Sequence, residues 1–378
     1  MRRAGIAPWG ALAVAGAVLV AAEVANGTTI LVGDLRLPTL WIPSGILLAS
    51  LLVVERRLGV LIAGAVAMVA ALVWRQGWPV EAALGVGAIQ ALEVWGAALM
   101  LRRAFGEVSS LGVTRNIVLL VATVMGASVL GASAATAWLA VVAPSVPSLS
   151  AWPAWWAADA IGLLLATPIS FAVAGGWRGD VVDRRTHAIL EFTGMLVVAA
   201  VLAEGVFGER LPQQILTPAF ILPVFLWASI RFGAAGASAG LLIVAAIGVW
   251  HTAHGQGPLA LPETLPVNWI RRAQGTASMA GLSFMLLGSL VDERRKALQE
   301  RADLVEKLQS ALTELRVLQG LIPICAWCHR IRDDAGSWQR IETYVEANSA
   351  ATFSHGICPT CVQKHEHDLG PTPGDARN

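Results

Sequence analysis

Four cysteines near the C-terminal end carry the clearest chemical pattern in this chain of 378 residues. They form two CxxC pairs, Cys325 with Cys328 and Cys358 with Cys361. Two thiolates on one tight turn, joined by a second pair about thirty residues further on, are typical of a tetrahedral zinc site with four sulfur ligands. We therefore predict one zinc ion, with His329 and His355 as alternative ligands. A thiol-disulfide function is the competing interpretation, but the βαβ pattern of CxxC oxidoreductases is missing.

Acidic residues inside long apolar stretches form a second group that could do chemistry. They are Glu23, Glu93, Asp159, Glu191 and Glu204. An acid at the centre of a membrane helix costs about 2.5 to 3.5 kcal/mol on insertion scales, so such residues are functional candidates. We expect Glu93 near the middle of the membrane and Glu23, Asp159 and Glu204 toward its outer half, lining an outward-open polar cavity. The alternative is that each acid bonds a neighbouring helix or reaches water at a helix end, which is the favoured interpretation for Glu191.

Two further patterns have plainer explanations. His251 and His254 form an HxxH motif, which can place two imidazoles on one helical face for a metal. No third ligand is evident unless Glu263 folds back, so interfacial histidines are the simpler interpretation. The glycines at positions 233, 236 and 240 lack the Lys-Ser/Thr of a phosphate loop, and close packing of helices explains them better.

Apolar stretches that position these residues make up most of the chain. Hydrophobic residues are 56% of the sequence and charged residues only 14%, against about a quarter in soluble proteins. Segments near the roughly twenty residues needed to cross a membrane lie at 9–31, 38–54, 58–74, 82–101, 116–142, 157–174, 188–207, 215–231, 234–251 and 270–291. The fold prediction is an all-α membrane bundle of about ten helices, or eight if the short second, third, eighth and ninth segments do not all cross.

The arginines between these segments predict the orientation of the chain. With the N-terminus inside, eleven loop arginines fall on the cytoplasmic side and five on the other, in alternation with the hydropathy. An even number of spans then places both termini in the cytoplasm, and we expect a multi-pass protein of the inner membrane. Residues 1 to 25 also resemble a secretory signal peptide, whose removal would leave the other spans oriented as before. Cytoplasmic thiols stay reduced, which favours zinc over disulfides.

A charged helix is predicted after the last apolar segment, over residues 292–320, ended by Gly320 and Pro323. Heptad positions are occupied by Val291, Leu298, Val305 and Leu312, and by Leu308 and Leu315, with Arg294 and Arg301 interrupting the second position. About three heptads are near the minimum for a coiled coil. We predict a signalling helix that forms a homodimer through residues 291–318; a solvated amphipathic helix is the alternative.

The apolar region, residues 1–291, resembles the MASE1 family of bacterial membrane sensory domains. The resemblance is carried by Leu40-Trp41-Ile42-Pro43-Ser44-Gly45, Glu93 with Leu101-Arg102-Arg103, Trp155-Trp156 with Asp159, Gly162 and Pro168, Arg231-Phe232-Gly233, and Gly255-Gln256-Gly257-Pro258. Members of the family usually have about eight spans. The resemblance implies a sensory role and makes Glu93, Asp159, Trp155 and Trp156 candidates for the sensing site, with Glu23 and Glu204 as further polar candidates.

Residues 321–368 resemble a short cysteine-rich module found at the C-termini of many bacterial signalling proteins, and residues 369–378 are expected to be disordered. The module's resemblance rests on Gly320 to Cys325, Cys328, Ile331 to Asp334, Trp338 and Phe353 to Cys361. A small zinc-binding α+β module is the expected fold. No activity is attached to this module.

The expected function is therefore that of a membrane sensor without enzymatic activity. The linker has no histidine that could accept a phosphoryl group, and fewer than sixty residues follow it, whereas kinase and cyclase domains are usually about 100 residues or more. An unidentified cytoplasmic partner would receive the signal. A secondary transporter, or a subunit serving a separate kinase or cyclase, is the alternative. The net charge of +1 and the acidic tail give no basis for binding nucleic acid.

Overall fold

The structure is a computed structural model that describes residues 9–32, 35–53, 57–105, 113–144, 148–175, 182–208, 217–260, 266–314, 322–333, 335–349 and 351–365. Contacts divide the chain into two units, Met1–Ala297 and Leu298–Asn378, each of which is described separately. The predicted tail at residues 369–378, the N-terminal arginines and the predicted helix stop at Gly320 lie outside the described residues.

The first unit is a bundle of apolar helices whose core is made mainly of alanine, leucine and valine side chains. The helices are α1 (Trp9–Asn26), α2 (Pro43–Val53), α3 (Arg57–Gln76), α4 (Val80–Phe105), α5 (Thr114–Val142), α6 (Ser148–Gly175), α7 (Val182–Phe207), α8 (Leu222–Ala253) and α9 (Pro266–Glu314). A 3₁₀ turn, Pro218–Ile221, leads into α8. Leucines and valines on the outer faces, such as Leu130 and Val201, remain exposed, as expected for helices surrounded by lipid.

Six of the described helices, α4 to α9, are long and apolar enough to cross a membrane, judged by length and composition. Three shorter apolar helices lie at Ala11–Asn26, Pro43–Val53 and Leu58–Trp74. Every predicted apolar segment contains a helical stretch in its described part, so the prediction of a helical, multi-pass membrane protein is confirmed. The count of ten crossings is not confirmed and stays a prediction.

The chain enters the bundle between α1 and α2 as extended backbone, which explains why α2 is short. Strands β1 (Thr29–Val32) and β2 (Leu35–Pro38) form an antiparallel hairpin in which Thr29 pairs with Pro38. Residues 39–42 then run buried and non-helical, and the amide of Trp41 donates to the carbonyl of Ala158 in α6 at 3.1 Å. Non-helical backbone at membrane depth is tolerated only where protein covers it, and α6 provides that cover.

Helix α8 contains a sharp reversal at Gly233, where the backbone adopts φ 65° and ψ −155°. A Cβ atom added at Gly240 would lie only 3.9 Å from the Cβ of Ala228. In a straight helix these positions would be about 18 Å apart along the axis, so residues 222–232 and 234–253 form a tight helical hairpin. The left-handed φ favours glycine. The two predicted segments at 215–231 and 234–251 therefore exist as antiparallel halves joined without a loop.

Helix α9 continues without a break from Pro266 to Glu314, so the predicted last apolar segment and the predicted charged linker are one helix. In the described part of the linker, heptad residues such as Leu298, Val305 and Leu312 are exposed. The homodimer through residues 291–318 stays a prediction. The predicted domain boundary after residue 291 likewise stays a prediction, and the contacts divide the chain six residues later.

The second unit contains short elements after α9. Strands β3 (Ile331–Arg332) and β4 (Trp338–Gln339) are antiparallel, and helices α10 (Ile341–Asn348) and α11 (Pro359–Lys364) follow. Trp338 lies in β4, and α10 begins only at Ile341. The reason is the turn at Gly336, whose φ of 84° and amide bond to the Asp333 carbonyl bring β4 alongside β3.

Candidate functional site

Two acids of different helices, Glu93 of α4 and Asp159 of α6, meet inside the bundle, and their carboxyl groups interact directly. Asp159 is 2% exposed, and all four carboxyl oxygens are buried. The hydroxyl of Ser44, in the first turn of α2, lies beside the Asp159 carboxyl. Two of the predicted sensing residues therefore form one site, 66 positions apart in sequence.

Glycines on neighbouring elements make room for this site. A Cβ atom at Gly131 of α5 would lie 1.8 Å from Oε2 of Glu93, so only glycine leaves space for that carboxyl group. A Cβ atom at Gly162, one turn after Asp159, would lie 1.7 Å from the carbonyl oxygen of Trp41. Close approach of the extended segment to α6 depends on that glycine. The family motifs around Trp41 and Asp159 are thus in direct contact in the fold.

Two buried polar atoms without a hydrogen-bond partner lie beside Asp159. Among the described residues these are Oε1 of Gln90 and Nε1 of Trp41. Gln90 is 3% exposed and, with Asp159, Trp41 and Trp155, lines a cavity of about 10 Å³. Buried polar atoms normally have partners, and a cavity of this size accommodates about one water-sized particle.

Aromatic rings cover the cavity on the side of the β1–β2 hairpin. Trp155 lies 5.9 Å from Trp78, whose indole donates to the carbonyl of Arg36 at 3.2 Å. Trp156 stacks on Trp152 at 5.9 Å with an interplanar angle of 14°. Of the two predicted tryptophans, Trp155 is buried and lies beside Asp159, whereas Trp156 is half-buried and packs on Trp152.

Helix α9 reaches the same region through Gln274. Its Nε2 donates to the carbonyl of Thr39 at 2.8 Å and to that of Ala154 at 3.4 Å. Thr39 begins the extended segment that holds Trp41, and Ala154 lies in α6 ahead of Asp159. One buried amide thus ties α9 to both elements that shape the site.

Glu204 and Glu23 lie elsewhere, so the expected single cavity lined by all the acids does not form. Glu204 of α7 bonds Nε2 of His251 at 3.0 Å, and Nδ1 of His251 bonds Oε1 of Gln256 at 2.7 Å. His251 is buried, and Gln256 belongs to the Gly-Gln-Gly-Pro motif. Glu23 is exposed within the last turn of α1, close to the helix end.

The opposite end of the bundle holds a cluster of contacts around the start of the charged part of α9, which we call the α9 clasp: Asp292, Glu293, Arg295, Thr114, Arg231, Gly233 and Ala234. Asp292 packs on Gly233 and accepts a bond from the amide of Ala234. Glu293 accepts bonds from the amide and hydroxyl of Thr114, at 3.2 and 2.7 Å. These carboxylates cap the first turns of the second half of α8 and of α5.

Arginine contacts complete the clasp. Nη1 of Arg295 donates to the carbonyl of Arg231 at 3.4 Å. The guanidinium of Arg231 in turn pairs with both carboxylate oxygens of Glu191 at 2.7 and 2.8 Å. Glu191 therefore bonds a neighbouring helix, which agrees with the plain interpretation given to this acid.

The cysteines of the second unit form two local pairs. Backbone amides of Cys328 and Trp327 bond the Cys325 thiol and lower its pKa, and those of Cys361 and Thr360 act in the same direction on the pKa of Cys358. Amides directed at sulfur favour the thiolate form that zinc binds. Among the described residues, no group of three or more His, Cys, Asp or Glu side chains is close enough to hold a metal. The two pairs therefore remain apart in this structure.

The second unit has a small hydrophobic core, which is consistent with stabilisation by a metal ion. In its described part Ile331 is the one buried hydrophobic residue, while Trp327 is 94% exposed. His329 holds φ 54° in the turn after Cys328, and Cys358 caps α11 ahead of Pro359. Both turns are shaped to present two sulfurs, so the four cysteines remain compatible with zinc.

Sequence reasoning missed several residues of the acid site: Ser44, Gln90, Gly131 and Gln274. Gln90 and Gln274 are polar residues within apolar stretches, which is the same signal that identified Glu93. Ser44 was quoted only as part of a family motif. Gly131 had no local signal, because its role depends on which side chain of α4 faces it.

Comparison with known proteins supports the assignment of the bundle. No curated protein and no solved structure matches the chain. Residues 9–294 match MASE1, a membrane sensory domain of signalling proteins. The match covers well over half of the chain and includes every helix around the acid pair and the α9 clasp up to Arg294. The chain belongs to the MASE1 family of membrane sensory domains.

Proposed function

We propose that this protein is a sensor of bacterial signal transduction in which the Glu93–Asp159 site receives the cue and α9 carries the response. The supporting observation is the position of α9. Gln274 bonds the two elements that hold the acid site, Asp292 and Glu293 belong to the α9 clasp, and the same helix continues to Glu314. A change in packing at the site therefore has a continuous path to the linker.

The mechanism we propose is a population shift between two arrangements of the bundle. A cue can move that equilibrium only as far as its affinities for the two arrangements differ. Unpartnered buried atoms at the site provide such a difference, because a bound ligand can satisfy them in one arrangement and not in the other. The extended segment at residues 39–42 and the reversal at Gly233 lack the regular hydrogen bonds of a helix. We therefore propose that the backbone changes conformation at these two places.

The output module in this proposal is the cysteine-rich tail. Zinc bound by Cys325, Cys328, Cys358 and Cys361 would stabilise it, and the linker would dimerise through residues 291–318 or present the tail to a cytoplasmic partner. The exposed leucines of the linker support a role in association. Because the tail carries no catalytic motif in its sequence, we propose binding to a partner rather than catalysis.

The proposed location is the inner membrane with both termini cytoplasmic. Arg231, Arg295 and Thr114 of the α9 clasp belong to regions that the arginine pattern places inside. Trp78 and Arg36, which bond each other, belong to regions that the same pattern places outside. Contacts within each group support one consistent orientation of the bundle.

Hydrogen exchange on the full-length protein in lipid nanodiscs tests the proposed path from the site to α9. Asp159→Asn keeps the volume of the side chain and removes its charge. We expect this variant to change amide protection at residues 286–300 by about tenfold, which corresponds to about 1.4 kcal/mol of local opening. The matched control is Glu81→Gln, because Glu81 is an exposed acid of α4 away from the cluster.

A change confined to α4 and α6, with protection of α9 as in the parent, would contradict the proposed path. An equal change in Glu81→Gln would show that any lost charge perturbs the bundle, and would also count against the proposal. The measurement needs no knowledge of the cue or of the partner.

A secondary transporter is the second candidate, and α2 is the observation that favours it. Transporters often use short helices whose N-terminal ends begin inside the membrane beside an ionic site, and α2 begins beside Asp159. Uptake of sodium by proteoliposomes, lost in Asp159→Asn, would favour transport over sensing. A sensor instead changes protection of α9 without net flux.

A further inference from the structure

A larger cavity, of about 240 Å³, lies between the end of α7, both halves of α8 and α9. Its inner wall is made of buried apolar residues, among them Leu241 and Ala245 of α8 and Ala277 of α9. Among the described lining residues Thr276 carries the one polar side chain, and its hydroxyl donates to the carbonyl of Arg272 at 2.8 Å. An apolar cavity of about 150 Å³ stays dry and binds benzene. This cavity is therefore suited to a hydrocarbon ligand.

The outer wall of the cavity lies on the surface of the bundle. Pro218, Ala219 and Leu222, around the start of α8, line the cavity and are exposed, as is Thr276 on α9. In a membrane this surface faces lipid tails, which are as apolar as leucine side chains. A hydrocarbon chain can therefore enter the cavity sideways from the bilayer without crossing water.

Two side chains indicate the depth of the cavity in the membrane. Val249 lines it, and the next residue, Trp250, is 43% exposed, as is typical of tryptophans at the level of the lipid headgroups. Arg272 is exposed and precedes Thr276 by one turn on the same face of α9. The cavity thus begins near the headgroups, beside a positive charge, and continues into the hydrocarbon.

We propose that this cavity binds one acyl chain of an anionic phospholipid, whose phosphate pairs with Arg272. The lining residues of α9 extend from Ala273 to Ala280, about 10 Å along the helix, which is about a third of the hydrocarbon thickness. That length accommodates part of one chain, while the headgroup stays at the membrane surface. Binding of the lipid does not depend on the sensing function proposed above.

Two effects favour the chain in the cavity over the chain in the bilayer. Transfer between two apolar surroundings gains no hydrophobic energy, so that term is absent. The walls of an empty cavity lack dispersion contacts on one side, and a bound chain restores them. Arg272 adds an electrostatic preference for an anionic headgroup over a zwitterionic one.

Photo-crosslinking of the full-length protein in nanodiscs tests this binding. The probe is phosphatidylglycerol with a diazirine on one acyl chain, at a low molar fraction in phosphatidylcholine, and mass spectrometry locates the label. We expect label on residues 241–249, where Leu241 and Ala245 are buried and can react only with a chain inside the cavity. Excess unlabelled phosphatidylglycerol should reduce this label about tenfold by mass action, whereas phosphatidylcholine should not. Label on exposed Leu130 of α5 reports general contact with lipid.

Variants assign the label to the cavity and to the headgroup. Ala277→Phe and Ala245→Leu fill the cavity and should each reduce the label on α8 about tenfold, because the space for the chain is lost. Their control is Met279→Phe, since Met279 is exposed on the same helix and does not line the cavity. Arg272→Gln should reduce the label about fivefold, as expected for one basic residue at an anionic membrane surface. Its control is Arg36→Gln, an exposed arginine that does not line the cavity.

Several results would overturn the proposal: label confined to exposed residues, label on α8 that both filled variants retain, or equal competition by phosphatidylcholine. Displacement by oleate but not by phosphatidylglycerol would identify a free fatty acid as the occupant and would also overturn it. Unchanged label in Arg272→Gln would overturn the position of the headgroup. Competition by unlabelled lipid uses the parent protein, so it decides the question even if the filled variants do not fold.

Discussion

At the residue scale, the acid pair depends on two neighbouring glycines, which have no side chain. Glu93 fits because Gly131 has no side chain, and Asp159 meets the extended segment because Gly162 has none. Small residues at helix interfaces are usually explained by close backbone packing, but here one of them leaves space for a carboxyl group.

Gly131→Ala is expected to reproduce the effect of Asp159→Asn on α9. Its methyl would overlap Oε2 of Glu93, which lies at the flexible end of the side chain, so the carboxyl moves at little cost in packing. We expect protection at residues 286–300 to change about tenfold, while the thermal midpoint stays within about 3 °C of the parent.

Hydrogen exchange and thermal unfolding measure the two quantities, with Gly126→Ala as the control on the same helix. A Gly131→Ala protein with α9 protection like that of the parent would mean that the position of the Glu93 carboxyl is not transmitted.

At the element scale, the α9 clasp is the feature that connects the bundle to the linker. Two successive carboxylates cap two different helices, and the Gly233 reversal is the surface on which α9 rests. A Cβ atom at Gly288 would lie 2.6 Å from the amide nitrogen of Ala234 and from the carbonyl carbon of Gly233. These are backbone atoms, which yield far less easily than the end of a side chain.

Gly288→Ala should therefore separate α9 from the α8 reversal. Overpacking against backbone costs typically about 1 to 3 kcal/mol. We expect a lower thermal midpoint, together with faster amide exchange at residues 286–296 and at the start of the second half of α8. The matched control is Gly275→Ala on the same helix, where an added Cβ meets nothing within 4 Å.

An unchanged exchange rate at the α9 clasp in Gly288→Ala would show that the contact does not hold α9. Faster exchange in Gly275→Ala to the same degree would attribute the effect to the helix as a whole and not to the clasp.

At the scale of the whole molecule, two units with different sources of stability share one chain. The bundle has a large apolar core, whereas one buried hydrophobic residue, Ile331, serves the described part of the second unit. Modules of this size usually need disulfides or a metal ion for stability. Structural zinc contributes about 10 to 16 kcal/mol to the free energy of folding in small zinc domains. We expect the two units to respond differently to loss of metal.

Chelation of the purified full-length protein should unfold the second unit alone. We expect one zinc ion per chain by metal analysis, loss of amide protection over residues 322–365 on chelation or in Cys358→Ser, and unchanged protection of α4 as the internal control. A reduced, metal-free protein whose tail stays protected would contradict zinc as the structural ion. A tail that becomes protected only on oxidation would favour the thiol-disulfide alternative.

Much of this architecture follows from sequence alone, because hydropathy and charge act locally. The ten apolar segments, the charged helix after Val291 and the motif residues Trp41, Glu93 and Asp159 can be read position by position, and each apolar segment contains a helix in its described part. The CxxC spacing likewise predicts its pairs, since a tight turn holds both sulfurs. These features require no knowledge of which helix lies beside which.

Only the tertiary structure determines which of these residues contact each other. Glu93 and Asp159 form a pair while Glu204 bonds His251, although all three are single acids in apolar helices, because the rotation and order of the helices determine the neighbours of each side chain. The reversal at Gly233 and the insertion of residues 39–42 also depend on partners far away in sequence, Asp292 and Ala158. The hydropathy of a segment indicates whether it is more stable in lipid or in water. Which side chains contact each other depends instead on the packing energy of the whole bundle.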